Sequence, residues 1–299
     1  MSGTTLPMRV WTGTVVRAED LTPGMRRVVF GGAGLSGYAT TGVGDEYLRL
    51  IFPRRRGEAP LLPTVTDGCL DYDSIDLATM RTYTVRDFES ATGEVTIDFV
   101  VHDGGVAAEW ARSARPGDLV GLNTPDGMYD APAGLSWQFL VADCAAIPAA
   151  ARLIENAPSG VRTRAILEVP DPAHHLDLTT TTSDVEVTWI YGGNGHGPSR
   201  LEQVVRSIRT PAEGIGYIWV AGETKELRGV RRYLRRELGL PSSAYKTVGY
   251  WTDGAEKWRD RYAALDAETR SALDAIWESD ADLGEIEIRY DEQLARLGL

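Results

Sequence analysis

Residues 79–88 read TMRTYTVRDF, and within them Arg81, Tyr83, Thr84 and Arg86 form a close grouping of cation, ring and hydroxyl. A tyrosine offers a stacking face, and a guanidinium can neutralise a pyrophosphate. A neighbouring threonine can hydrogen-bond a ring nitrogen through its backbone or its hydroxyl. That combination suits a flavin nucleotide. Further on, HDGGVAAEWA (102–111) sets small residues at the start of a short helix, where backbone N–H groups and the helix dipole favour an anion. Taken singly, Arg81 and Arg86 read as surface charges and His102 as a structural histidine. Their order, upstream of a nucleotide-type region, favours the cofactor reading.

The elements that must position these residues fall into two regions. Up to about residue 125, short runs rich in β-formers are divided by turn residues: MRVWTGTVVRAED and MRRVVFGG around LTPG, then EYLRLIFP. RTYTVRDF and GEVTIDFVVH are expected to pair across ESATG, and RRRGEAPLLPTVTDG (54–68) reads as a long exposed loop. Many short strands and one helix predict an antiparallel barrel. From Trp137 the rhythm becomes strand, helix, strand: WQFLVAD, CAAIPAAARLIENA, RTRAILEVP, DVEVTWIYGG, GYIWVAG and TKELRGVRRYLRRELG. That alternation predicts a parallel, doubly wound sheet. The fold expectation is therefore a two-domain α+β chain, with a barrel at 1–128, an α/β domain at 135–252 and an acidic helical tail at 253–299. The tail reads as either a cap on the ligand side of the α/β domain or a solvated helix pair, and the solvated reading is favoured.

In such α/β sheets, ligands bind beyond the carboxyl ends of the strands. Two strand ends qualify. In LVADCAAIPAAA the small side chains allow close approach of a pyrophosphate, although tight helix–strand packing explains the same alanines. In WVAGETKELR, Gly222 ends a strand just before a helix. Neither matches a dinucleotide fingerprint or a P-loop. GGNGHG (192–197) lacks the Gly-Lys-Ser/Thr ending of a P-loop and reads as a flexible loop.

Composition narrows the class. A net charge of −12 over 299 residues argues against a general nucleic-acid binder. Two cysteines, Cys69 and Cys144, form no CxxC and no disulfide framework, and fall short of an iron–sulfur ligand set. The opening MSGTTLPMRVWTG has no apolar segment of the secretion-signal kind, and no run of 18 apolar residues occurs, so the cytoplasm is the expected location, with no membrane partner. The adjacent His174 and His175 are not expected to hold a metal, since neighbouring side chains on a strand point apart.

In order along the chain, RTYTVR, DFVVHDGGVAAEWA, PGDLVGL, VADCAAIPAAARLIE, VTWI, YIWVAGETKELRGVRRYLRRELGL and VGYWTDG resemble the siderophore-interacting protein family. These are flavin-dependent reductases of ferric siderophores related to ferredoxin-NADP reductases. The likeness runs from about residue 10 to 260 and implies an FAD-binding barrel followed by a nicotinamide-binding α/β domain. It implies that Arg81, Tyr83, Thr84, Val85 and Arg86 cradle FAD, with His102, Gly105, Ala107, Ala108 and Trp110 near the flavin or its pyrophosphate. Asp143, Ala146, Pro148, Gly222 and Glu223 would line the nicotinamide cleft, and Arg49 and Lys257 would meet an anionic substrate. The implied reaction is reduction of a ferric siderophore by NADPH or NADH to release Fe(II), with no side chain acting as nucleophile or general base. A monomer or weak dimer is expected. Alternatives are a flavin or quinone reductase serving an oxygenase, and a non-catalytic flavin-binding siderophore carrier.

The chain departs from the family in three places. ADCAAIP replaces the usual Gly-Asp-Glu-Thr/Ala-Leu-Pro and loses a hydroxyl. WIYGG stands where an arginine commonly follows VTWL, and Thr252 replaces the arginine of GYWR. All three bear on the choice between NADH and NADPH and on the binding of anionic substrate.

Overall fold

In the computed structural model, residues 6–180, 182–193 and 199–299 are described. The first region contains β1 (Val10–Thr22), β2 (Met25–Gly31), β3 (Tyr47–Ile51), β4 (Thr64–Thr66), β5 (Cys69–Asp71), β6 (Met80–Thr84), β7 (Asp87–Glu89), β8 (Glu94–Val100), α1 (Val106–Ser113) and β9 (Leu119–Asn123). Seven of these strands form one antiparallel sheet in the order β6-β3-β9-β1-β2-β8-β7. Its inward face buries Val28, Phe30, Leu48, Leu50, Ile97, Phe99 and Leu122 around Trp110 of α1. Alternating apolar residues on the strands fill one core, as an antiparallel barrel requires. The stretch 54–68 is not loop throughout: Thr64–Thr66 pairs with Cys69–Asp71 in a small hairpin.

The pairing of residues 79–100 differs from the sequence expectation. Asp87–Glu89 does pair with β8 across the turn, but β6 leaves that partner and pairs with β3. Two consecutive amides show the exchange: Val85 N–H donates to Glu46 O (2.9 Å), and Arg86 N–H donates to Thr96 O (2.9 Å). Successive backbone groups of an extended chain point to opposite sides. The sheet edges are therefore joined at Val85–Arg86, and β6 and β8 diverge on the Met80–Thr84 side. Bonds from Val85 to Glu46 and from Phe52 to Thr79 place the odd-numbered residues of β6 in the hydrogen-bonded pairs with β3. The N–H and C=O groups of Thr82 and Thr84 consequently face the open edge.

The second region holds β10 (Leu135–Ala142), α2 (Ile147–Glu155), β11 (Arg162–Val169), β12 (Val185–Tyr191), α3 (Leu201–Ser207), β13 (Ile215–Glu223), α4 (Thr224–Arg232) and β14 (Tyr245–Trp251). All pairs in its sheet are parallel, in the order β12-β11-β10-β13-β14, with helices on both faces. The strand order reverses between β10 and β13, which is where such a sheet opens a ligand crevice. Residues 194–197 of the GGNGHG stretch lie outside the described residues. The tail folds into α5 (Ala255–Ala263), α6 (Ala267–Trp277) and α7 (Leu283–Arg296), and it is not a solvated pair. Leu273, Leu294 and Leu299 make a small core of their own, and Asp291 binds Arg231 at 2.6 Å, docking α7 on α4. Among the described residues no helix is long and apolar enough to cross a membrane.

Two adjacent carboxylates just before β3 join the regions. Asp45 accepts from Met128 N–H (2.9 Å), Tyr129 N–H (2.7 Å) and the buried indole of Trp219 (2.9 Å). Glu46, with its side chain 0% exposed, pairs with Arg152 of α2 at 2.6 Å and accepts from the backbone and hydroxyl of Thr41 and the hydroxyl of Thr40. Arg152 also donates to Val85 O at 2.8 Å, so α2 grips the point where the barrel edges meet. Removing one partner of a buried ion pair leaves the other charge uncompensated. Arg152→Met is expected to cost about 3–5 kcal/mol in urea unfolding, and adding Glu46→Gln should recover part of it. A loss of less than about 0.5 kcal/mol, the size of an ordinary surface substitution, would contradict the role given to the pair.

Candidate functional site

The gap between β6 and β8 is a cleft of about 160 Å³, lined by Arg81, Thr82, Tyr83 and Thr84 on one side and Asp98, Val100 and His102 on another. Ala145, Pro148, Tyr250 and Trp251 of the α/β region complete it. Residues from both regions thus meet at one place, and the segment that opened the sequence analysis forms one wall. Tyr83 packs its ring on Phe99, with centroids 4.4 Å apart and planes at 45°. Burial pushes its hydroxyl upward in pKa, and the ring is held as a fixed wall. Thr84 is buried, and its hydroxyl lies 3.2 Å from that of Tyr250, which ties β6 to β14 across the junction of the two regions.

Arg81 donates to the carbonyls of Ala78 (3.0 Å) and Met80 (2.7 Å) and forms no ion pair among the described residues. Its positive charge is thereby held at the cleft without a neutralising carboxylate. Beyond His102, Gly104 and Gly105 take φ of +79° and +89°, a left-handed conformation that glycine adopts without strain. They turn the chain sharply into α1, whose first residues include the buried Ala107 and Ala108.

Other expected residues are placed differently. Arg86 is absent from the cleft lining. It reaches to Glu155 of α2 at 2.5 Å and lies 3.7 Å from Asp98, a carboxylate already bound by Arg27 at 2.7 Å. Its charge is spent on the join between the two regions. Val85 is fully buried in the barrel, and Trp110 packs among Phe30, Phe52 and Phe99 in the barrel core, so its ring is structural. Arg49 and Lys257 are not brought together. Arg49 donates to the hydroxyl of Thr82 at the edge of the cleft, whereas Lys257 lines a separate cavity with Lys225 and Arg261.

At the sheet crossover, Asp143 directly follows β10 and Glu223 ends β13. Asp143 accepts from Ala145 N–H (3.0 Å) through one oxygen, and from Glu223 N–H (2.9 Å) and the Trp251 indole (2.8 Å) through the other. Burial nevertheless pushes its pKa up to about 7, against these stabilising donors. Gly222 is pressed against it, for a Cβ there would lie 2.4 Å from the Asp143 carboxylate. Glu223 caps α4, accepting from Lys225 N–H (2.6 Å) and Glu226 N–H (3.0 Å), while its other oxygen takes Asp253 N–H (3.0 Å). Both carboxylates are engaged with protein donors, which makes them positioning groups. Ala146 is buried at the start of α2, beside the lining residues Ala145 and Pro148. Sequence reasoning missed Asp45, Glu46, Arg152, Tyr250 and Trp251. Only the last two carried a local signal, as the aromatic pair ending the final strand.

The residues present fit a flavin. An open strand edge supplies N–H and C=O groups in the spacing a heterocycle can use, one tyrosine ring forms a wall, and an unneutralised guanidinium stands beside them. Comparisons with known proteins agree. Residues 14–129 match the family described as "Siderophore-interacting FAD-binding domain", and residues 135–254 match that described as "Siderophore-interacting protein". A siderophore utilization protein from T. fusca superposes with a TM-score of 0.74 at 31% identity, covering 85% of this chain and 96% of that one. The NADPH-dependent ferric-chelate reductase of Escherichia coli is 28% identical over 80% of this chain and 91% of its own length. The ferric vibriobactin reductase ViuB of Vibrio cholerae is 26% identical over 85% and 94%.

Asp143 yields a pH prediction. Its carboxyl holds a proton more tightly folded than unfolded, so the folded state binds more protons between the unfolded value of 3.8 and about 7. This group's contribution to stability therefore falls as pH rises through that window. Asp143→Asn should remove that slope from a plot of unfolding free energy against pH. It should also cost about 1–3 kcal/mol, because the new amide turns an N–H toward an existing donor. An unaltered slope in the variant would refute the assignment.

Proposed function

Since this chain belongs to the siderophore-interacting protein family, we propose that it is an FAD-containing, NAD(P)H-oxidising reductase whose substrate is a ferric siderophore. The observation that carries this reading is the open edge of β6 at the junction of the two regions. There the unpaired backbone groups of Thr82 and Thr84, the Tyr83 ring and the Arg81 charge meet the ends of β10 and β14. A bound flavin would supply the conversion of hydride transfer from a nicotinamide into single-electron reduction of Fe³⁺, whose hard oxygen ligands hold Fe²⁺ far less well.

The side chains orient and enclose, and none is required to form a bond. Thr82 and Thr84 would hydrogen-bond the ring edge through their backbones, Tyr83 would stack on it, and Arg81 would meet the pyrophosphate, with the Gly104–Gly105 turn and the start of α1 beside it. Asp143 and Glu223 would hold the strand ends and Trp251 where the nicotinamide enters, with Ala145, Ala146 and Pro148 leaving room for its backbone approach. Arg49, at the cleft edge through Thr82, is the cation best placed to attract an anionic chelate. A cytoplasmic location and a single-chain or weakly dimeric state complete the proposal.

Purified protein should be yellow, and anaerobic NADPH or NADH should bleach it. Arg81→Ala should weaken flavin retention on the order of tenfold or more, the worth of a charge-assisted hydrogen bond. Ferric chelates should re-oxidise the bleached protein faster than free FMN does. Unchanged flavin occupancy in Arg81→Ala, or no bleaching by either nucleotide, would contradict the proposal.

A further inference from the structure

The tail helices enclose a second cavity, of about 280 Å³, that the flavin chemistry does not use. Its walls come from α4 on one side and from α5, α6 and α7 on the other. Trp258, Trp277 and Tyr290 supply aromatic faces, with the Trp277 and Tyr290 rings 5.3 Å apart and tilted by 58°. Two of its lining residues carry buried donors that lack a hydrogen-bond acceptor: Nε of Arg228 and Nε1 of Trp258. Arg228 satisfies another nitrogen on Leu299 O (2.7 Å), yet its Nε stands 3.5 Å from the Asp291 carboxylate without forming a hydrogen bond. Buried N–H groups left without a partner cost free energy, and such a pair in an aromatic-walled cavity points to an occupant bringing acceptors.

The charges narrow what that occupant is. Arg231 is already held by Asp291 (2.6 Å) and Thr247 (3.1 Å). Two arginines, Arg228 and Arg231, and two carboxyls, Glu287 and Asp291, line the cavity, so it offers no net charge to hold an ion of either sign. We propose that this cavity is a binding site for a flat, uncharged heteroaromatic ring bearing carbonyl or ring-nitrogen acceptors. Arg228 Nε and Trp258 Nε1 are its donors, and the two tryptophans and Tyr290 are its stacking surface. The site is separate from the β6 cleft, although Thr224 on its wall donates its hydroxyl to Trp251 O at 2.8 Å and accepts from the Thr252 hydroxyl at 3.1 Å.

The test uses full-length, flavin-saturated, ¹⁵N-labelled protein and caffeine, a planar probe with acceptors and no donor. Caffeine should move the indole N–H resonance of Trp258 saturably, that resonance being identified by its loss in Trp258→Phe. Trp258→Phe, which keeps a ring and deletes the donor, should bind caffeine about fivefold more weakly, the worth of one hydrogen bond. Indole, a ring with no acceptor, should bind at least about fivefold more weakly than caffeine to the wild type, by the same measure. If Trp258→Phe does not fold, Arg228→Lys removes the Nε donor while keeping the charge and should weaken caffeine binding likewise. A Trp258 resonance that does not move at saturating solubility, equal binding of caffeine and indole, or full caffeine affinity in either folded variant would overturn the proposal.

Discussion

The cleft depends on a buried ion pair, Glu46 with Arg152, and on what that pair holds in place. An extended strand at Val85–Arg86 can bond to both edges of the barrel at once because its amides alternate in direction. Glu46 contributes the backbone acceptor for one of those amides, and its carboxylate anchors the arginine that grips the Val85 carbonyl. The same arginine belongs to the helix whose first residues line the cleft from the other side. The gap between β6 and β8 and its distance from the nicotinamide side are therefore set by one charge pair. Its neighbour Asp45 adds a second tie, to the linker and to the indole of Trp219.

Around that join, buried carboxylates work as fasteners. Asp143 links the two strands at the sheet crossover to the last aromatic residue of β14, and Glu223 caps α4 while binding the chain after β14. Both are protected from water and surrounded by N–H donors, so they hold geometry. Chemistry is left to the bound cofactors, consistent with a site that offers backbone groups, rings and one unneutralised cation. The tail extends the same logic: its acidic residues are spent on the arginines of α4 and of the helical turn after it, as in Asp291 with Arg231 and Glu285 with Arg236 at 2.8 Å.

Much of this was legible in the chain. Strand and helix rhythm separated a barrel from a parallel sheet, and RTYTVR pointed to the cleft wall through residue types alone. The residues that lie away from the cleft lining share a cause: the local pattern cannot say which of two faces or edges a residue meets. Arg86 and Arg81 look equivalent in sequence, yet the pinch at Val85–Arg86 sends one to Glu155 and leaves the other at the cleft. Trp110 stands among small residues like a ligand-facing ring, but α1 turns it into the barrel core. Glu46 and Arg152 are 106 residues apart, and nothing short of the tertiary fold pairs them. The tail looked solvated because its acids were counted without the arginines of α4 that they meet.

The most direct test is amide hydrogen exchange at Thr82 and Thr84, measured in apo and FAD-bound protein. If the flavin takes the place of the strand pairing that β6 lacks, those two amides exchange faster in the apo form than Tyr83, which is bonded to β3, and slow sharply when FAD binds. Equal exchange of Thr82, Tyr83 and Thr84 in the apo form, or no slowing with FAD, would contradict the account.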